Sequence, residues 1–126
     1  MIGFVMIGTN NLKTSAKFYD LILLPLGLTK VFTGDRYIGY ASKDKKSEIE
    51  FYITKPHNKK KATYGNGTQI SFLADSKLSV NKFYDIALKN GGLDEGAPGP
   101  RPSDTSGYYA YVRDADGNKI CAYARI

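Results

Sequence analysis

The tetrapeptide Lys17-Phe18-Tyr19-Asp20 recurs as Lys82-Phe83-Tyr84-Asp85, 65 residues further on. The same offset places Leu23 on Leu88 and Gly27 on Gly92. An internal repeat of this length constrains the fold more than any local propensity, because each copy must be the same supersecondary unit. Around Phe83 the apolar residues Val80, Phe83, Tyr84, Ala87 and Leu88 fall at the spacing of an amphipathic helix. Asn10 and Asp75, again 65 apart, sit where the two helices are expected to begin; short polar side chains there accept hydrogen bonds from unpaired N–H groups. Gly91-Gly92 is expected to stop the second helix, since glycine adopts the left-handed conformation common at that position.

Strands surround both helices. Gly3 to Thr9 precedes the first and Gln69 to Ala74 the second. Arg36 to Ser42 and Glu48 to Thr54 follow the first helix, and Tyr108 to Arg113 and Lys119 to Arg125 follow the second. Asp116-Gly117 suits the tight turn of the last hairpin. In this region the repeat offset reads as 71, matching Tyr40 to Tyr111, Ile49 to Ile120 and Tyr52 to Tyr123. Residues 55–68 read as a polar connector, with Pro56, Lys59-Lys60-Lys61 and Gly65-Asn66-Gly67. Leu93 to Gly107, with Pro98, Pro100 and Pro102, reads as mostly loop with one short strand near its start.

Alternation assigns faces. Ile49, Phe51 and Ile53 should pack under a helix, leaving Glu48, Glu50, Tyr52 and Thr54 on the other face. Ile120, Ala122 and Ala124 take the helix side of the last strand, leaving Cys121, Tyr123 and Arg125 opposite. In the leading strands the open face carries Gln69, Ser71 and Leu73, with Phe4, Met6 and Gly8 as first-half equivalents. A curved sheet gathers these residues into a cup. The expected fold is α+β, one domain over residues 1–126: a first module over about 1–54, the connector, and a second module over about 69–126.

Composition narrows the function. Hydrophobic residues at 42% and charged residues at 24% can fill a core, which excludes a disordered chain. A formal charge of +6 favours acidic small molecules or polyanions without choosing between them. One cysteine, Cys121, excludes an intrachain disulfide, and one histidine, His57, excludes zinc sites that need two. No apolar run reaches the roughly 18 residues of a spanning helix, and Met1 leads straight into a strand-like segment, so a reducing cytoplasm is expected. Lys59-Lys60-Lys61 lacks a flanking aromatic platform and reads as a solvated loop, so no nucleic acid partner is expected.

Ile7-Gly8-Thr9-Asn10-Asn11-Leu12 leading into Phe18-Tyr19, Pro25-Leu26-Gly27-Leu28, and the closing run from Tyr108 to Ile120 together resemble the vicinal oxygen chelate superfamily. That superfamily includes glyoxalase I, bleomycin-resistance proteins and extradiol dioxygenases. The resemblance implies two tandem βαββ modules forming a cup-shaped mixed sheet with helices outside, around a small-molecule site and frequently in a homodimer. It also implies positions for a divalent metal, which carried over fall on Phe4, Glu50, Gln69 and Cys121. Phe4 has no donor and Gln69 offers only a neutral carbonyl, so a degenerate metal site with no metal cofactor is expected; a divalent ion held unconventionally is the alternative.

Among the candidate residues, Glu50 reads either as a general base or as a hydrogen-bonded carboxylate. Tyr52 and Tyr123 read as platforms for a flat ligand or as ordinary half-buried tyrosines. Cys121 reads as a small buried thiol. Arg101, in a proline-rich loop, reads as an anion clamp over the cup mouth or as a solvated arginine. With Gln69 and Ser71 these form the expected ligand-binding set. The expected function is a glyoxalase/bleomycin-resistance-like protein that binds a small organic molecule. Its alternatives are a metal-dependent lyase, isomerase or dioxygenase, or a protein that sequesters a drug.

Overall fold

The computed structural model describes residues 1–126. Its elements run β1 (Val5–Gly8), α1 (Leu12–Ile22), β2 (Leu28–Thr33), β3 (Tyr37–Ser42), β4 (Ile49–Thr54), β5 (Gln69–Leu73), α2 (Lys77–Lys89), β6 (Leu93–Arg101), β7 (Asp104–Arg113) and β8 (Lys119–Arg125). They form two sheets of identical topology, β1-β4-β3-β2 and β5-β8-β7-β6. In each, the first strand pairs in parallel with the last and the others pair antiparallel. The tandem modules are therefore real; the first carries one strand, β2, that the strand reading did not place, and in the second the short strand expected near Leu93 extends to Arg101.

β2 and β6 are both edge strands. β2 has no buried residue and its register shifts between Lys30 and Phe32, so it shows no clean alternation. β6 occupies the stretch expected to be mostly loop, and β7 begins at Asp104 rather than Tyr108. Three register shifts let β6 follow β7 despite Pro98 and Pro100. Proline lacks an N–H to donate and is tolerated at the edge of a sheet.

The helix caps lie one residue later than expected in both modules. Asn11 accepts from the Thr14 N–H at 3.0 Å and Ser76 from the Ser79 N–H at 3.1 Å. Asn10 instead pairs its side-chain amide with the Ala62 backbone through bonds of 2.7 and 3.2 Å, pinning the connector to the first module. The stop at Gly91-Gly92 is as expected, with Gly91 at φ +93° and the Gly92 N–H reaching Ala87 O at 2.8 Å.

Twenty buried residues from both modules make one core. Phe51 is at its centre, with ring centroids 5.2 Å from Tyr19, 6.1 Å from Tyr40 and 5.2 Å from Phe72 of the second module. A polar latch adds to this seam. The Tyr19 hydroxyl donates to Asp114 at 2.6 Å, the Thr9 hydroxyl to Asp116 at 2.6 Å, and the Asn118 amide to Gly8 O at 2.9 Å.

Tyr19 and Tyr40 are both fully buried. Burial, reinforced by the neighbouring Asp114, holds the Tyr19 phenol well above its ordinary range; burial and Asp20 do the same for Tyr40. A phenol whose pKa is raised by folding stabilises fully below its unfolded value and loses that contribution as pH rises. Unfolding free energy is therefore expected to fall above about pH 10, by about 1.4 kcal/mol per pH unit for each of these phenols. Tyrosinate absorbance followed alongside circular dichroism should show both ionising only as the chain unfolds.

Candidate functional site

The open face of the second module is a grid of three rungs. Register aligns Gln69 with Lys119 and Arg113, Ser71 with Cys121 and Tyr111, and Leu73 with Tyr123 and Tyr109. The opposite parity, Ala110, Val112, Ile120 and Ala122, is fully buried beneath α2. The alternation that buries one set therefore presents the other. Tyr109 stacks on Tyr123 with centroids 5.3 Å apart at 13°, and Tyr111 is parallel to Tyr109 within 4° at 6.3 Å. The Tyr109 hydroxyl donates to Asp104, which with burial raises its pKa to about 12.

Arg101 lies over the Tyr111 ring, its Cζ 5.0 Å from the centroid. Its terminal nitrogens donate to four carbonyls: Ala97 at 3.0 Å, Gly99 at 3.1 Å, Pro100 at 3.2 Å and Tyr109 at 3.2 Å. The guanidinium thus braces the bulged β6 against β7. Cys121 is buried in the middle rung. Burial pushes its thiol up, partly offset by Ser71, Arg101, Tyr111 and Lys119. A neutral, buried thiol is a poor nucleophile. Iodoacetamide is expected to modify Cys121 at least ~10-fold more slowly than a free cysteine, and at the ordinary rate in denaturant, as mass spectrometry would record.

The first module's open face differs. Phe4, Tyr52, Tyr37 and Phe32 form a row of rings with successive centroids 5.2, 5.4 and 5.4 Å apart. Tyr52 stands opposite Gly39, where a Cβ would come within 3.0 Å of the Tyr52 ring and 2.9 Å of Ile49. Ile49 therefore lies on this face, not under the helix as alternation predicts. The register shift between Tyr40 and Ala41 leaves Glu50 as the unpaired bulge residue and turns Ile49 over.

Register also corrects the matching of the halves. Val5 pairs with Phe51 and Ile70 with Ile120, so Tyr52 corresponds to Cys121, not to Tyr123, and Ile49 does not correspond to Ile120. The sequence alignment slips by two residues there, which preserves faces because side chains alternate with period two. Tyr40 and Tyr111 fare worse: Tyr40 is buried, bonding Asp20 at 2.8 Å, whereas Tyr111 is on the open wall.

Of the expected site residues, Gln69, Ser71, Cys121 and Tyr123 share the second module's wall with Arg101 above it, and the Gln69 amide donates to Ser71 at 2.9 Å. Glu50 joins Gln69 and Ser71 in a cavity of about 470 Å³, which Val5, Leu28 and Ser42 also line. Tyr52 belongs to the first module's ring row. Sequence reading missed Tyr109, Tyr111 and Lys119, although their parity with Arg113 across the last hairpin is the same signal that selected Cys121 and Tyr123.

The residues at the four metal positions do not fit a divalent ion. Only Glu50 brings a carboxylate; Phe4 offers no donor, Gln69 gives a neutral amide, and the Cys121 thiol is buried. Nowhere do three His, Cys, Asp or Glu side chains converge. His57 is exposed in the connector, as are Lys59, Lys60 and Lys61. No helix is long and apolar enough to cross a membrane.

Two equivalent modules, each with its helix on one face and an open aromatic face on the other, define a duplicated cup-type α+β protein. The chain belongs to the Glyoxalase/Bleomycin resistance protein/Dioxygenase superfamily, whose profile matches residues 1–122. It is similar to a glyoxalase/bleomycin resistance protein from Albidiferax ferrireducens T118, with 39% identity, 98% of each chain covered and a TM-score of 0.87. A glyoxalase-related enzyme from Fulvimarina pelagi shares the fold at 18% identity, with 99% of this chain and 88% of that one covered and a TM-score of 0.75. A family enzyme from Burkholderia phytofirmans PsJN does so at 15% identity, with 99% and 98% covered and a TM-score of 0.73. A search among curated proteins returns no match.

Proposed function

We propose that this protein binds a small organic molecule, aromatic or anionic, in its cup, on a metal site that has become degenerate. The observation that carries the reading is the second module's wall: stacked tyrosines and polar side chains in register, beside metal positions without a workable donor set. Pockets of this kind join flat apolar surfaces to a few placed polar groups. A fragment screen by thermal shift tests it. Aromatic acids should raise the melting temperature equally with and without a chelator, since ligand linkage contributes about 2.7 kcal/mol at a hundredfold excess over Kd. Chelator-sensitive turnover of a hemithioacetal or a catechol would support the metal-dependent enzyme instead. Tight binding that returns the ligand unchanged marks a sequestering protein.

A homodimer in the cytoplasm completes the reading. Phe4, Met6 and Leu73 are exposed on the open faces, and β1 and β5 each leave a free sheet edge; a second copy covers both. A solution mass twice the 13.9 kDa of the chain is expected.

A further inference from the structure

The charges on the second module's wall do not balance. The chain has two ion pairs, Lys30 with Asp20 and Arg113 with Glu95. Arg113 is therefore compensated, and it also donates to Gly117 O at 2.8 Å. Its rung neighbour Lys119 is half-buried and pairs with no carboxylate; its Nζ is 5.1 Å from the Tyr111 ring centroid. Arg101, 5.0 Å from the same ring, is bonded through its terminal nitrogens only to neutral carbonyls. Two uncompensated cations thus converge on one aromatic ring; the three rungs carry no carboxylate of their own, and Glu50, which shares a cavity with Gln69 and Ser71, pairs with neither cation. Like charges brought together on a partly desolvated surface favour a bound anion.

We propose that Lys119 is the anion-holding residue of the cup and that its ligand is an aromatic carboxylate. The carboxylate takes a charge-assisted hydrogen bond from the Lys119 ammonium, with the Gln69 amide on the same rung. One rung along β8 is about 6.7 Å, so a ring attached to that carboxylate reaches the middle rung and lies against the half-buried Tyr111, above Cys121, which its neighbours keep covered. Arg101 supplies charge to the site without contacting the ligand, because its terminal nitrogens are engaged by four carbonyls. The assignment rests on the cup being the binding site, and it replaces a metal ion's positive charge with a side chain's.

Benzoate and its neutral isostere benzamide, titrated into isotopically labelled protein and followed by NMR, test this. Benzoate should shift the backbone amides of Lys119, Cys121 and Tyr111 saturably, with benzamide at least tenfold weaker. Lys119→Met should weaken benzoate at least tenfold while leaving the remaining spectrum unchanged, and Lys119→Arg should retain most of the affinity. Benzamide binding the wall as well as benzoate, or an unaffected Lys119→Met, overturns the anion assignment and leaves cup binding standing. Benzoate shifts absent from the wall, or confined to the lysines of α1, overturn both.

Discussion

Asp114→Ala is expected to lower the unfolding free energy by about 3–5 kcal/mol, the usual range for removing one partner of a buried charged network. Asp114 is 5% exposed. Its carboxylate accepts from the Tyr19 hydroxyl at 2.6 Å, from the backbone N–H groups of Asp116 and Asn118 at 2.9 Å, and from the Asn118 amide at 3.0 Å. Alanine strands all of these donors, including a phenol with no access to water. The loss is a large share of the roughly 5–15 kcal/mol a domain has in total. Tyr19→Phe should cost only about 1–2 kcal/mol, because the carboxylate keeps its other three partners. The double variant should fall short of additivity, since both changes break the same bond between modules. Urea denaturation measures all three; a loss below about 1 kcal/mol for Asp114→Ala contradicts the latch.

Phe51→Ala should cost about 3–5 kcal/mol, while Tyr52→Ala, its neighbour in sequence, should cost under about 1.5 kcal/mol. The contrast follows from the sheet alone. Phe51 is fully buried against rings from α1, β3 and β5, whereas Tyr52 contacts Phe4 and Tyr37 on the open face. Because Phe51 touches Phe72, the variant should weaken both modules together, so near-ultraviolet and far-ultraviolet circular dichroism should give one coincident transition. Two transitions, or equal costs for the two variants, would contradict a shared core and the face assignment.

Features with local causes were readable in the sequence. The offset of 65 residues holds from β1 through the caps: Asn11 and Ser76 keep it even though each cap lies one residue beyond the expected position. Side-chain parity placed Cys121, Tyr123, Gln69 and Ser71 on one face. What escaped depends on pairing between strands. The bulge at Glu50 that turns Ile49 over is a property of the β3–β4 register, invisible in one strand's alternation. The prolines of β6 disguised an edge strand, and unequal turns between the modules slid the alignment that matched Tyr52 to Tyr123. Lys119 was missed because its importance is relational: only the structure shows that Glu95 compensates Arg113 and that no carboxylate compensates Lys119.

Elemental analysis of freshly purified protein, paired with benzoate titration before and after exhaustive chelation, bears most directly on the idea that a lysine-bearing wall has taken over from a lost ion site. Metal far below one equivalent per chain and an unchanged benzoate affinity are expected. One tightly held zinc, nickel, iron or manganese per site, whose removal abolishes binding, would contradict it.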